Sequence, residues 1–385
     1  MSTPHFRYGH GLPVRAAPII PAPPPPPPVT GLVVDPSTYY AAILAAKPGD
    51  LIQLKDGNYG RVSFSNVVKS GPVFIQGLST GAVFNSISFN GCTNLQWSYI
   101  NTLGFDASNQ YCLFGFGCDG VGFDHVSMDG GGALDADGVY FGSLNFWREC
   151  NNFTFTNSTL TRAGDQLDSL NCSNVVIGGN HFSEWSGNAS FHSGVTTGHF
   201  FREHFGFCSK ASPGSHTDCL QFAASYDIHR RCTDLLIEDC LYDAGNRLDA
   251  FDSQGPCFLE SCDRVTVRRV ASFGANFNTQ SYSDCTAVDV RDCWGQSWPS
   301  ATQSYGSRIL VRGGSNGAFF ANVEMTQVPA AYNGHPLYPG DTELNSINVV
   351  VDPSCVVIPN ATGPTDRARL NAWLARPGHE NVPAT

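Results

Sequence analysis

The sequence predicts an all-β solenoid, and three observations carry that expectation. A cysteine followed by polar or glycine residues and then an apolar-alternating stretch returns six times: Cys92 (CTNLQW), Cys118 (CDGVGF), Cys150 (CNNFTF), Cys172 (CSNVVI), Cys232 (CTDLLI) and Cys262 (CDRVTV). Successive copies stand 26, 32, 22, 60 and 30 residues apart, and a degenerate copy, TTGHFF at Thr196, divides the long interval. A second register trails the cysteines: DGVYF at Asp137, DQLDS at Asp165, DCLQF at Asp218 and DAFDS at Asp249. Finally, Gly, Asn and Ser punctuate the short runs, as tight turns require. A repeat of this length built from short strands is a stack of units sharing one core. Strand twist and crossover sterics make such winding right-handed. The expected fold is a right-handed single-stranded parallel β-helix, with a short N-terminal capping helix and an extended Pro-rich arm.

Along the chain, residues 1–30 read as an arm ending in PAPPPPPP (Pro21–Pro28), an extended polyproline spacer. Residues 31–52 form the N-terminal cap. Within them DPSTYYAAILAAKPGD (Asp35–Asp50) encodes a helix that Ser37 or Thr38 starts and Pro48-Gly49 stops after Ala46. Such a helix covers the open end of a stack of strands. Residues 53–327 carry the parallel β-helix, and 328–385 a closing or oligomerisation segment with one helical stretch, TDRARLNAWLARPG (Thr365–Gly378).

Composition narrows the partners. The net charge is −11 and only Lys47, Lys55, Lys69 and Lys210 are lysines, so the basic face that nucleic acid needs is missing. No apolar run reaches the length of a membrane span. The N-terminal stretch has no apolar core of a secretory leader. The 14 cysteines include no CxxC pair, which removes the usual zinc signature. Equivalent positions on stacked coils lie about 4.7–4.9 Å apart, so the repeat cysteines are expected to form a ladder of buried free thiols acting as small hydrophobes.

PGDLIQLKDGNYG, where a helix leads through Pro-Gly-Asp into the first coil, resembles the entry of chondroitinase B-like and alginate-lyase-like chains. HTDCLQF (His216–Phe222) resembles the His-x-Asp-x-Ile-Gln coil of bacteriophage β-helix proteins. Together with the repeats, these segments resemble the pectate-lyase-like superfamily of right-handed parallel β-helices, over roughly Asp35 to Gln327. The resemblance implies binding or cleavage of polysaccharide along a flank. Lyases of this kind take a C5 proton from a uronic acid with Lys, Arg or His, often with calcium. This chain departs from them, since its one lysine beyond Lys69 is Lys210.

The candidate site is the outward position three residues after each leading Asp: Tyr140, Asp168, His192, Gln221, Asp252 and, on the next coil, Asp289. His192 enters by aligning ASFHS with DQLDS. A column whose identity changes from coil to coil reads as an interaction surface, with Tyr140, His192 and Gln221 to hydrogen-bond sugar hydroxyls. Trp185, Trp147 and Tyr226 offer stacking faces, while Phe141 is expected to point inward. Glycosidic hydrolysis needs two carboxyls, about 5–5.5 Å apart for retention or 6.5–9.5 Å for inversion. Asp252 with Asp289, Asp249 with Asp252, and Asp165 with Asp168 are the pairs to consider. The leading Asp of each coil is expected to bond turn amides. Asp129, Asp135 and Asp137 around Gly130–Gly132 offer oxygen ligands for calcium, without EF-hand spacing; otherwise no cofactor is expected. The short first segment, proline spacer and acidic solenoid fit a bacteriophage spike or fibre: a homotrimer, held to other virion proteins through residues 1–28, that meets host polysaccharide. The alternative is a stand-alone polysaccharide lyase or glycoside hydrolase.

Overall fold

The computed structural model describes residues 31–104, 111–131, 140, 142–206, 208, 217–243, 253–254, 257–274, 280–296, 309–326, 346–358 and 367–383. They wind into a right-handed parallel β-helix with three strand ladders. Sheet one is a 13-stranded stack from Leu32–Val34 to Val350–Val351. The other two ladders share a 21-stranded sheet because Ala82–Asn90 bends across both, pairing with Asn101–Leu103 and with Tyr111–Phe116. Sheet two climbs from Asn101–Leu103 to Val356–Ile358, and sheet three from Gly57–Ser65 to Ile309–Arg312. The ladders thus start before residue 53 and continue past 327, beyond the span that the repeats alone mark.

Alternation along each strand sends every second side chain into a continuous core. In sheet one a single inward column runs Ile52, Ile75, Trp97, Phe123, Phe155, Ile177, Phe200, Ile237, Val267, Val290 and Phe320, all buried. Burying each side chain of this size contributes about 1.5–3 kcal/mol, which is why a one-residue slip is not tolerated there.

The cysteines lead into the strands of sheet one. Cys232 pairs with Cys262, and the residues after Cys92, Cys118, Cys150 and Cys172 bridge in turn. Val195 fills the degenerate rung, and Cys285, not recognised from the repeat, extends the column. All fourteen thiols are free, and every repeat cysteine is buried. Several point at the carbonyl two residues back, as Cys118 does to Phe116 at 3.4 Å and Cys262 to Glu260 at 3.4 Å. Two residues beyond the cysteine the chain turns through a left-handed conformation, at Asn94, Asn152 and Asn174 among others. Asn tolerates that conformation better than other non-glycine residues.

Helix α1 (Tyr39–Ala45) covers the first coil, packing Tyr39 and Ile43 inward. Thr38 is its N-cap residue but makes no capping bond; instead Asp35 Oδ1 accepts from the Ser37 amide (2.9 Å) and the Thr38 hydroxyl (3.1 Å). Its last carbonyls are satisfied by the Lys69 ammonium, which donates to Leu44 O and Ala46 O. Helix α2 (Arg367–Leu374) falls within the helical stretch read from sequence, but it does not close the far end. Leu370 and Trp373 pack on Leu241, Ala271, Phe273 and Trp294, which face outward from sheet two. Arg367 makes a two-bond pair with the buried Asp243 at 2.7 and 2.8 Å. The apolar outer face of sheet two fixes that position.

Candidate functional site

Length variation concentrates at the corner between sheets two and three. The strands that flank it are separated in sequence by residues 104–110, 130–142, 206–216, 244–252, 274–279 and 297–308. Between 130–142 and 206–216 lie two tight crossings, Gly164–Gln166 and Ser186–Gly187. Glycine is needed at both. A Cβ on Gly164 would lie 2.9 Å from Gly142 O, and one on Gly187 would lie 2.4 Å from Asp165 Oδ1.

Beside these tight crossings, the outer surface of sheet three carries one row of side chains in register: Phe114, Phe146, Asp168, Phe191, Gln221. The three phenylalanines are half-buried. Phe114 and Phe146 stack with centroids 6.0 Å apart, and Tyr111 leans on Phe146 at 5.3 Å. Tyr226, 76% exposed, lies 6.3 Å from Phe191. Rungs about 4.8 Å apart make this a track of ring faces with one carboxyl and one amide set into it.

The carboxyl is Asp168, only 8% exposed. Its Oδ2 accepts from the Ser143 hydroxyl at 3.2 Å, and its Oδ1 has no partner. Burial, with Asp165 adding repulsion, holds its pKa well above the ordinary carboxylate range. Asp165 accepts the Asn188 amide at 2.7 Å, the turn-bonding role expected of the leading Asp; burial raises its pKa too. Three residues of strand put their Cα atoms at most about 10 Å apart. Burial thus raises both carboxyls, Asp168 further than Asp165. Burial, aided by both carboxylates, also raises Tyr111.

Across the corner, Tyr140 donates to Glu184 Oε2 at 3.1 Å. Arg162 forks onto Asp129, with Nε to Oδ1 at 2.9 Å and Nη2 to Oδ2. Gln166 Nε2 donates to Ser183 O at 2.7 Å, and Ser186 Oγ donates to Tyr140 O at 3.3 Å. Asp129, Tyr140, Arg162 and Glu184 thus form one polar cluster on the sheet-two side of the corner.

Of the residues singled out from sequence, the structure brings Asp168, Gln221 and, at the corner, Tyr140 to this face. Four others are misplaced. His192 lies one position off the row, in register with Ser169 and Phe222, and is fully buried. Its Nδ1 and Nε2 meet the hydroxyls of Ser169 (2.7 Å) and Ser190 (2.8 Å), and burial lowers its pKa to about 3, so it is a neutral core histidine. Trp185, like Trp147, is inside the solenoid and offers no stacking face. Asp289 belongs to sheet one, in register with Thr266 and Phe319, and pairs with Arg291 at 2.9 Å. Phe258 follows Gln221 on sheet three instead. Asp249 and Asp252 lie outside the described residues, as do Asp135, Asp137 and Phe141.

Asp129 is engaged by Arg162, and among the described residues no group of three or more His, Cys, Asp or Glu side chains is arranged to hold a metal ion. The phenylalanine row, Tyr111, Arg162 and Glu184 went unnoticed in the sequence. The signal was a Phe recurring at the same strand position in YCLFGF, SLNFWR and NASFHS.

No family model and no curated protein sequence matches the chain. Among solved structures it is similar to the PL6 family alginate lyase AlyGC, at TM-score 0.49 and 12% identity over 77% of this chain and 39% of that one. It is also similar to a tailspike protein mutant of E. coli bacteriophage HK620 in complex with pentasaccharide (0.49, 11%, 81% and 55%). A third likeness is to ORF18 of Geobacillus virus E2 (0.46, 11%, 75% and 61%). The chain spans less than two thirds of each of these proteins, and at such identities the likeness is one of fold alone.

Proposed function

We propose that this protein is a bacteriophage or phage-derived spike or fibre component that adsorbs to host-surface polysaccharide through sheet three. The row Phe114, Phe146, Asp168, Phe191 and Gln221 carries the reading. Half-exposed rings in register match the apolar faces of successive sugar rings, while a carboxyl and an amide within the row hydrogen-bond hydroxyls and fix orientation. The Asp165–Asp168 pair favours depolymerase activity as an addition to binding. A raised-pKa carboxyl is suited to protonating a glycosidic oxygen, with its partner as base or nucleophile. The same pair is what a stand-alone glycoside hydrolase would use.

The test is to incubate protein with purified capsular polysaccharide and lipopolysaccharide of the host, measuring retention and chain length. Phe146→Ala with Phe191→Ala is expected to abolish retention. Asp168→Asn is expected to leave retention and, where chains shorten, to slow cleavage by about 10²–10⁴-fold. Retention unchanged by the double aromatic substitution would refute the assignment of this face.

A further inference from the structure

The opposite edge of sheet three, where the chain passes into sheet one, is turned tightly in neighbouring coils, within Arg148–Asn151 and Leu170–Ser173. Between Thr217–Ala223 and Cys232–Glu238 it is not: residues 224–231 bulge outward as a loop. The loop is braced at its base. Ser225 is buried, its hydroxyl accepts the Arg230 amide at 2.9 Å, and its own amide donates to Arg230 O at 2.9 Å. The tip presents Tyr226 and Ile228, 76% and 62% exposed. Beneath lies a groove of about 650 Å³ lined by Arg148, Asn151, Asn171, Ser173, Asp227 and Arg230, among others.

Charge within this groove is unevenly matched. Asp227 and Glu149 both lean on Arg148, each at 3.1 Å. Arg230 donates only to neutral oxygens, Asn171 O at 3.1 Å and Thr196 Oγ1 at 2.5 Å, and among the described residues no carboxylate pairs with it. A half-buried guanidinium without a counter-ion is a ready acceptor site for an anion, and its fork suits carboxylate or phosphate oxygens. Tyr226 connects the groove to the aromatic row through its contact with Phe191.

We propose that loop 224–231 and the groove beneath it form a subsite for a sugar bearing an anionic substituent, with Tyr226 against the ring and Arg230 on the anion. The inference deepens the polysaccharide reading and rests on it for the ligand being a saccharide. It also sets which side of the bound chain carries the charge: the acids Asp165 and Asp168 stand toward one edge of sheet three and Arg230 toward the other, so a glycan lying along the ring row has its anionic substituent on the Arg230 side.

Titration calorimetry with D-glucuronate, N-acetylneuraminate, inorganic phosphate and D-glucose tests this on the full chain. Both sugar acids are expected to bind, with glucose at least about tenfold weaker. Arg230→Gln is expected to weaken the acids by about tenfold or more, and Arg230→Lys, which keeps the charge without the fork, to restore part of the loss, which separates charge from a collapsed loop. Tyr226→Ala, at an exposed tip, is expected to weaken the sugar acids and leave phosphate unchanged. Phosphate binding without either sugar acid, glucose binding as well as glucuronate, or sugar-acid binding indifferent to Arg230→Gln would each overturn the subsite. Retention of host polysaccharide through Phe146 and Phe191 would survive any of these results, so the two readings fail separately.

Discussion

Glu203 sits in the turn between sheets one and two with only 1% of its surface exposed. Asn180 Nδ2 donates to its Oε1 at 3.1 Å, while Oε2 has no partner. Burial outweighs that bond and holds the carboxyl pKa well above its ordinary value. The folded state therefore binds this proton more tightly than the unfolded chain. The stability it contributes is complete below the unfolded value, near pH 4.3, and is lost at about 1.4 kcal/mol per pH unit as pH rises through the folded value. Glu203→Gln keeps the shape and removes the titration. Thermal melting is expected to show the variant gaining on wild type between pH 5 and pH 8. A gap that does not change with pH would show that Glu203 is ionised in place. Asp168 has the same sign, so the variant is expected to retain part of the slope.

His192 marks how far single residues were legible. The ASFHS and DQLDS segments align by eye with His192 on Asp168, but the strand register sets Phe191 there. Asn188, not Ala189, occupies the place of Asp165, so the alignment is wrong by one. Side chains alternate between faces, and a slip of one therefore turned a core histidine into a surface one.

At the level of elements, the cysteine column was readable because the same residue fills the same inward corner on many coils, and a repeated identity survives changes in spacing. Its gap at Val195 and its extension at Cys285 were harder, since a Val substitutes for a thiol of similar bulk. Burial pushes Cys262 well above its ordinary range, whereas bonding from the neighbouring thiol lowers Cys172 and Cys232, so the column is kept from reacting by its burial. Thiol titration of native protein is expected to be slow for the column and complete after denaturation, and mass spectrometry to find no disulfide among Cys92, Cys118, Cys150, Cys172, Cys232 and Cys262. One native disulfide among them would contradict the ladder. The position of α2 was not legible, because nothing in Arg367–Leu374 reveals that sheet two exposes Leu241, Ala271, Phe273 and Trp294 to receive it.

For the whole molecule, parallel winding was legible from repeat length alone, whereas the face that carries function depends on register and was recovered only in part. The arm enters at this scale. Residues 1–28, ending in the proline run, lie outside the described residues, and the proposed role for them is attachment to a particle. Removing them is expected to leave the melting temperature of the solenoid within about 0.5 kcal/mol equivalent of wild type and to abolish incorporation into particles. Sedimentation of both forms tests the trimer. Full incorporation of the truncated chain would refute the anchoring role.

At the corner between sheets two and three the flanking strands are separated by as few residues as Ser186–Gly187 and as many as 130–142, yet they keep register. Strand pairing is local to each rung, so a segment added there lengthens a coil without shifting its neighbours. Recognition can then diversify by loop exchange at one corner, leaving the core sequence untouched. Chimaeras that swap residues 206–216 for an unrelated peptide of similar length should fold as the parent does, and differ from it only in what they hold.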